Sequence, residues 1–322
     1  MSKTHERRAL ASNAAAAIGP QEGEVQAGLR ISPLFNEAFL WIFGRQDSKE
    51  VTRSLANAIL RRAGLGQIGK IDELRADAAS PGGIEMRTSR ADVVIVSEEG
   101  TTVDLEAQRE RVNVDNKALF YASKLLCEGT PRGAADDYSD LPQVIVIILI
   151  DGWKMFEGDS FLSVGRIRWK HGDGSANKFE DGTDRTLYVV AELDKVRKVY
   201  TANSEEMADD EALAWLYLLA DGYSDDHEME RVMERFENIQ EFAERYKLAM
   251  GDPELKRAYE KYLEARMEYN DILHEGQRWA RKEGRKEGRK ETRKDVLVRM
   301  RELGYDEDAI AAVLDGIDEG DE

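Results

Sequence analysis

Polar side chains alternate with apolar ones along the segment VDLEAQ, residues 103–108. Asp104, Glu106 and Gln108 occupy every second position, and a β-strand would place all three on one face. The preceding segment ADVVIVSEEG has Asp92 at its start and is apolar after it. A hairpin that turns at SEEG would bring Asp92 across from the strand end that carries Glu106 and Gln108. The spacing therefore predicts two carboxylates and an amide around one site.

A pair of neighbouring carboxylates suits a magnesium ion. Mg2+ prefers hard oxygen ligands and is usually held by one or two carboxylates together with waters and substrate phosphate. Asp92 and Glu106 are therefore candidate metal ligands, and a metal there would polarise a phosphodiester and make its bound water a better nucleophile. Gln108 would orient that water through its amide. The same spacing is also typical of a hairpin whose polar face is simply solvated, so spacing alone leaves both interpretations open.

The elements around this hairpin indicate an α/β domain. Two amphipathic helices open it, SPLFNEAFLWIFG and SKEVTRSLANAILRRAGLG, and a third, VDNKALFYASKLLCEG, follows the hairpin. Six segments rich in Val and Ile are predicted strands: IGKIDEL, ADVVIVSE, TTVDLEAQ, VIVIILI, FLSVGRIRW and RTLYVVAEL. Because VIVIILI is apolar on both faces, helices are expected on both sides of the central sheet.

The chain divides into four segments by composition. Residues 1–28 are small, polar and without periodicity, which predicts a mobile tail. The α/β domain is expected over residues 29–195 and a helical extension over residues 196–275. Residues 276–322 are predicted to form a charged repeat helix followed by a small helical hairpin.

The segment ARKEGRKEGRKETRKD repeats every four residues. On an α-helix this period places Glu283, Glu287 and Glu291 in one slowly drifting stripe beside stripes of Arg and Lys. Gly284 and Gly288 each cost a helix about 1 kcal/mol relative to alanine, so such a helix is expected to need a partner. Two interpretations remain open: self-association into a homo-oligomer through the C-terminal helices, or a solvated charged helix that serves as a linker.

Composition limits the class of protein. The net charge of −18 argues against simple coating of nucleic acid by a basic surface, although it leaves a local basic groove open. No apolar stretch approaches the length that spans a bilayer, and the first residues lack the apolar middle of a secretory signal, so we expect no membrane partner and a cytoplasmic protein. A single cysteine, Cys127, leaves no internal disulfide framework and no cysteine-based zinc site.

The order of these motifs resembles a known group of nucleases. An Asp, a hairpin, a Glu-x-Gln strand and a helix are similar to the PD-(D/E)xK nuclease superfamily, with Gln at the position of the usual Lys. Further motifs resemble the recombination-promoting nuclease (Rpn) family, also called PD-(D/E)xK nuclease family transposases. These motifs are NEAFLWIFG at residues 36–44, Asp92-Val93, LEAQ at residues 105–108, FYAS at residues 120–123, GAADDYSDLPQVI and the Glu-Gly repeat.

The resemblance implies both a fold and an activity. The fold would be a PD-(D/E)xK (restriction-endonuclease-like) core with a mixed central sheet flanked by helices, plus a helical C-terminal extension. The activity would be endonucleolytic hydrolysis of DNA phosphodiester bonds with Mg2+ or another divalent cation, connected with recombination or transposition, and RNA stays open as a substrate. Asp92 and Glu106 would hold the metal, and Asp92, Glu106 and Gln108 would be the catalytic residues.

The opening motif departs from the family pattern. Its acidic position is Asn36, with Glu37 beside it, and the usual Lys is Leu40. An amide is a weaker metal ligand than a carboxylate. A second interpretation is therefore a catalytically degenerate protein with the same fold, which acts through its helical oligomerisation tail.

Positive side chains follow the motif strand. Arg109, Arg111 and Lys117 are candidates to contact nucleic acid phosphates, since such contacts position the backbone beside a metal site. The same three charges are equally consistent with a solvated surface.

Overall fold

A computed structural model of the 322-residue chain covers most of the predicted elements. The residues that it describes are 30–78, 91–109, 113–130, 141–168, 172, 184–202, 209–222, 227–303, 307 and 310–311. The predicted mobile tail, Arg111 and most of the predicted C-terminal hairpin lie outside these residues.

Six strands form one mixed sheet in the order β1-β2-β3-β4-β6-β5. They are β1 Ile71–Ala78, β2 Ala91–Ser97, β3 Thr102–Gln108, β4 Val144–Ile150, β5 Leu162–Arg166 and β6 Thr186–Glu192. The first three strands pair antiparallel, β3, β4 and β6 pair parallel, and β5 returns antiparallel on β6. Each predicted strand segment contributes one of these strands, and the mixed central sheet flanked by helices is confirmed.

Helices make up most of the remaining described chain. Around the first strands lie α1 Asn36–Phe43, α2 Lys49–Arg62 and α3 Val114–Glu128, with a short 3₁₀ helix at Gln46–Ser48. After β6 come α4 Leu193–Ala202, α5 Glu211–Asp221, α6 His227–Arg235, α7 Glu237–Gly251 and α8 Pro253–Glu302. The division expected at residue 275 falls inside α8, which is one continuous helix of 50 residues.

Helix α3 covers one face of the sheet. Val114, Ala118, Ala122 and Leu125 of this helix pack against the apolar side chains that β2, β4 and β6 present to that face. All seven residues of β4 are buried, as expected for a strand that is apolar on both faces. Helix α3 therefore lies over the sheet face on which β3 presents its motif side chains.

Helix α1 lies on the opposite face. A Cβ built on Gly44, directly after α1, would lie 2.6 Å from the Ala76 Cβ in β1. Ala76 pairs with Val93, whereas the next residue, Val94, belongs to the face covered by α3. Because successive side chains of a strand point to opposite faces, α1 and α3 sandwich the sheet.

Aromatic side chains join α1 to the helices that follow β6. The ring of Phe43 lies 6.4 Å from Trp215 in α5 and 5.8 Å from Phe242 in α7, measured between ring centroids. Tyr246 of α7 donates a hydrogen bond from its hydroxyl to the Ile31 carbonyl at 2.8 Å. The predicted helical extension therefore packs into the same core as the sheet through helices α5 and α7.

The chain forms two compact units. The first unit ends at Tyr259, and the second unit begins at Glu260 inside helix α8. Within the described part of the chain, no helix is both long enough and apolar enough to span a bilayer.

Candidate active site

A tight turn closes the motif hairpin. The Gly100 amide donates to the Ser97 carbonyl at 2.9 Å, and the Ser97 Oγ accepts from the Thr101 amide at 3.2 Å. Gly100 has a φ of 84°, a left-handed conformation that glycine adopts without steric cost. The turn predicted at SEEG is present, and it sets the register in which Val94 pairs with Asp104.

This register brings Asp92 and Glu106 to the same end of the hairpin. Val93 pairs with Leu105, so the residues on either side, Asp92 and Glu106, lie opposite each other on one face. The Asp92 backbone amide donates to Glu106 Oε1 at 3.3 Å, and the Ala107 amide donates to Asp92 Oδ2 at 2.8 Å. Each carboxylate is therefore held by the backbone of the other strand.

The face that carries the motif side chains is buried. Asp104 is 0%, Glu106 2% and Gln108 9% exposed, because helix α3 lies over this face of the sheet. The interpretation of a simply solvated hairpin face is therefore wrong. Buried carboxylates are rare unless a positive charge or a metal compensates them, so the burial itself indicates a specialised site.

Helix α3 begins close to the end of β3. Asn113 caps it, since its side-chain oxygen accepts a hydrogen bond from the Asn116 amide at 3.2 Å. Only residues 109–113 separate Gln108 from the first helical residue, so the first turn of α3 stays beside the end of the strand. This first turn carries Lys117.

Lys117 points from the helix into the carboxylate site. Its Nζ lies 2.5 Å from Glu106 Oε2 and donates to Gln108 Oε1 at 3.1 Å. The ammonium also lies 5.4 Å from the centroid of the Tyr121 ring, one turn further along α3. Lys117, which was predicted to contact phosphates, thus contacts the motif carboxylate of Glu106.

Burial and charge repulsion shape the pKa values of the site. Burial raises the pKa of Glu106 to about 7, the Asp92 carboxylate adds to the rise, and Lys117 opposes it. For Lys117, burial works to lower the pKa, but the Glu106 carboxylate prevails and holds the pKa above its ordinary value. A cation between Asp92 and Glu106 would relieve the repulsion that raises the Glu106 pKa.

Asp104 is a third carboxylate on the same face, two positions deeper in the sheet. Neither of its oxygens has a hydrogen-bond partner among the described residues. Burial raises the pKa of Asp104 well above its usual range, and the charges of Glu106 and Asp92 raise it further. The alternation in VDLEAQ predicted the face on which Asp104 lies. The complete burial of its side chain results from helix α3, which packs over that face.

The donor set fits a magnesium ion. Asp92 and Glu106 supply carboxylate oxygens on adjacent strands, and Glu106 also lines a cavity of about 10 Å3, which holds about one water-sized group. Two carboxylates completed by waters and a phosphate are a usual Mg2+ environment. Among the described residues no cluster of three or more His, Cys, Asp or Glu side chains has metal-binding geometry, so Asp104 does not complete a third ligand position in this arrangement.

Arg109, another predicted phosphate-binding residue, does not join this site. Arg109 Nε lies 3.8 Å from Asp151 Oδ2, and Arg197 donates to the second oxygen of the same carboxylate at 2.7 Å. Arg111 lies outside the described residues. Of the two described candidates, Lys117 therefore reaches the motif carboxylates, whereas Arg109 belongs to an ion-pair network beyond the end of β4.

The departures in the opening motif do not alter the carboxylate pair. Asn36 and Leu40 lie in α1, on the face of the sheet opposite α3, and Asn36 is exposed. The same motif places Phe39 and Phe43 in the core, where both are 0% exposed. In this fold the motif contributes packing, so its change to Asn36 removes no group from Asp92 or Glu106.

The carboxylate hairpin and the mixed sheet lie within a region that matches a known protein family. Residues 33–276 match the family model of the PD-(D/E)XK nuclease family transposases. The chain belongs to this family. The resemblance predicted from the motifs and the predicted fold class are both confirmed. The comparisons with curated proteins and with solved structures found no match.

In this PD-(D/E)XK transposase-family protein, the lysine at the site comes from a helix. Gln108 occupies the strand position that has Lys in the family pattern, and Lys117 brings its ammonium to the same place from α3. Sequence reasoning assigned Lys117 to phosphate and missed its contact with Glu106. The available signal was Asn113, a capping residue that places Lys117 in the first turn of a helix directly after the motif strand.

Proposed function

We propose that this chain is a magnesium-dependent endonuclease that hydrolyses DNA phosphodiester bonds. The observation that carries the proposal is the convergence of Asp92 and Glu106 at one end of the hairpin, with Lys117 Nζ 2.5 Å from Glu106 Oε2. Membership of a nuclease family supports it, and the transposase description of that family supports a role in recombination or transposition.

Each side chain has a part in the proposed reaction. Asp92 and Glu106 would hold magnesium, which when bound polarises the phosphodiester and makes the attacking water more acidic. Lys117, whose Nζ lies beside Glu106 Oε2, would stabilise the negative charge that develops on the scissile phosphate. Gln108, which already accepts a hydrogen bond from Lys117, orients the attacking water through its amide.

A second candidate function is partner binding without catalysis. The net charge of −18 favours it, because an acidic protein repels the phosphate backbone outside any local basic patch. In that case the nuclease fold is kept, and the helical tail carries the interaction. Magnesium dependence separates the two candidates.

Removal of one carboxylate tests the proposed site through cleavage and metal binding together. The wild type is expected to nick a supercoiled plasmid in magnesium and to stop in EDTA, and millimolar magnesium is expected to raise its Tm. Asp92→Ala should remove both effects, since it deletes one of the two carboxylate ligands. Asp72→Ala, at an exposed carboxylate of β1, is the matched control and should keep both. A wild type that cuts neither DNA nor RNA and gains no stability from magnesium would favour the binding protein.

We also propose that the second compact unit mediates self-association. Ile272 and Trp279 of helix α8 are 69% and 68% exposed, which is unusual for large apolar side chains on a helix. Gly284 and Gly288 weaken the same helix, so a partner would stabilise it. A second copy of this chain is the partner that the proposal names.

Deletion of residues 276–295 is expected to lower the oligomeric mass in light scattering, because it removes the repeat together with Trp279. A matched variant, Gly284→Ala with Gly288→Ala, raises helix propensity without removing charge and should keep the mass of the wild type. An unchanged oligomeric mass after the deletion would indicate that the repeat serves only as a linker.

A further inference from the structure

A pocket of about 440 Å3 lies between helix α3 and the strands β5 and β6. Its wall includes Met155, Phe156, Val164 and Tyr188, which makes it largely apolar and partly aromatic. The volume is in the range of about 300 to 1,000 Å3 that is typical of pockets for small organic groups. The proposed reaction does not use this space.

The pocket adjoins the candidate active site. Val114, Ala118 and Ile148 line both the pocket and the small cavity at Glu106. Ile148 pairs directly with Glu106 across strands β4 and β3, so one side chain separates the pocket from the motif carboxylate. Neighbouring paired strands are about 5 Å apart, so a group attached to a phosphate at Glu106 lies within reach of the pocket.

A buried ion pair holds the aromatic wall in place. Glu192 and Lys195 lie 2.6 Å apart and are almost fully buried. Glu192 Oε1 accepts hydrogen bonds from the amides of Met155 and Phe156, at 2.8 and 3.3 Å, and Lys195 Nζ donates to the Phe156 carbonyl at 2.9 Å. The loop that carries Phe156 is thus anchored by charged side chains, while the ring itself is 40% exposed and available for stacking.

The lining selects the kind of group that fits. The described residues of the wall carry no positive charge, and Asp115 at the wall would repel a phosphate. An aromatic surface with a few polar groups, here Asp115 and the Ser163 hydroxyl, suits a flat group that has polar edges. A nucleobase has this chemistry, and bases stack on aromatic side chains whatever their sequence.

We infer that the pocket receives an unpaired nucleobase from the nucleotide next to the scissile phosphate, an inference that rests on the proposed function. In a duplex the bases are paired and stacked inside the helix and do not reach such a pocket. The preferred substrate is therefore a single strand, or a duplex with an unpaired nucleotide at the cut.

Binding of labelled oligonucleotides tests the pocket without cleavage. With calcium replacing magnesium, fluorescence anisotropy compares a single-stranded DNA, the RNA of the same sequence and the DNA duplex. Phe156→Ala is expected to weaken single-strand binding about tenfold and to leave duplex binding unchanged, since it removes one stacking surface. Ser163→Trp, which fills the pocket from β5, should have the same effect, because Ser163 pairs with Val190 on the face that the pocket occupies. Equal losses for DNA and RNA would assign the contact to the base, whereas a loss confined to one strand type would place it on the sugar and overturn the inference.

Phe120→Ala is the matched control, because Phe120 is also 40% exposed but does not line the pocket. Single-strand affinities that agree among wild type, Phe156→Ala and Phe120→Ala would overturn the inference, even if the protein cuts plasmid. A specific loss in Phe156→Ala would support the pocket even if no nucleic acid is cut, in which case the proposed hydrolysis fails alone. A change of oligomeric mass in Phe156→Ala would overturn it too, because a second copy would then cover the pocket.

Discussion

Glu106→Gln is expected to lower the rate of magnesium-dependent cleavage strongly and to make the stability of the metal-free protein less dependent on pH. The amide matches the carboxylate in size, but it is neutral and a poorer metal ligand. Metal polarisation contributes several kcal/mol to transition-state stabilisation, so loss of a ligand is expected to lower the rate by about a thousandfold. Plasmid nicking by identical preparations of the two proteins measures this loss.

The stability effect follows from the pKa of Glu106. In the folded protein without metal, burial raises this pKa from 4.5 to about 7, whereas the unfolded chain keeps the ordinary value. Between these two values the folded state binds more protons than the unfolded state, so the free energy of unfolding falls as the pH rises. The stabilisation is complete below about pH 4.5 and is lost as the pH rises through about 7, and its size is on the order of 3 kcal/mol.

Glutamine removes this dependence because it does not titrate. In EDTA, the Tm of Glu106→Gln should rise relative to the wild type as the pH increases from about 5 to about 7.5. Glu73→Gln, on an exposed side chain of β1, is the control and should follow the wild type at every pH. A constant Tm difference between Glu106→Gln and the wild type across this range would contradict the raised pKa.

Lys117→Met is expected to reduce the rate of cleavage by about a hundredfold or more, which is the usual effect of removing one group that stabilises developing charge. Methionine keeps the apolar stem over Tyr121 and removes only the ammonium. Because the ammonium acts on charge that develops in the transition state, kcat should fall while KM changes little. Steady-state kinetics on an oligonucleotide separate the two constants.

The same substitution also shifts the pH at which magnesium binds. Lys117 lowers the pKa of Glu106 through its charge and its hydrogen bond, so its removal raises that pKa further above about 7. Magnesium competes with the proton for the carboxylate, and its effect on Tm should therefore appear at a higher pH in the variant. Lys124→Met on the same helix, where Lys124 lies 4.0 Å from Glu128, should keep the wild-type rate. A kcat for Lys117→Met within about twofold of the wild type would remove Lys117 from the reaction.

The strands and the motif hairpin were predictable because local spacing determines them. Alternation in TTVDLEAQ and the apolar run VIVIILI each describe one strand, and Gly100 marks the turn between the first two motif strands. The pairing of Asp92 with Glu106 follows from the turn position and the two-residue period. These features need no information about distant parts of the chain.

The position of Lys117 was not predictable from the same spacing. A helix start can be located from its cap, but the rotation of the helix about its axis depends on which side chains it buries against the sheet. In α3, burial of Val114, Ala118 and Leu125 directs Lys117 toward Glu106. The burial of Asp104 was not predictable for a similar reason. The alternating pattern of a strand does not show which helix packs over its polar face.

The hydrogen bond between Tyr246 and Ile31 joins groups 215 residues apart in the chain. During synthesis, the apolar side of α1 therefore emerges from the ribosome long before α5 and α7 exist to cover it. Such delayed long-range contacts slow folding and leave apolar surface open to aggregation. The apolar side of α1 is therefore covered only late in translation, after the segments that form α5 and α7 have been made.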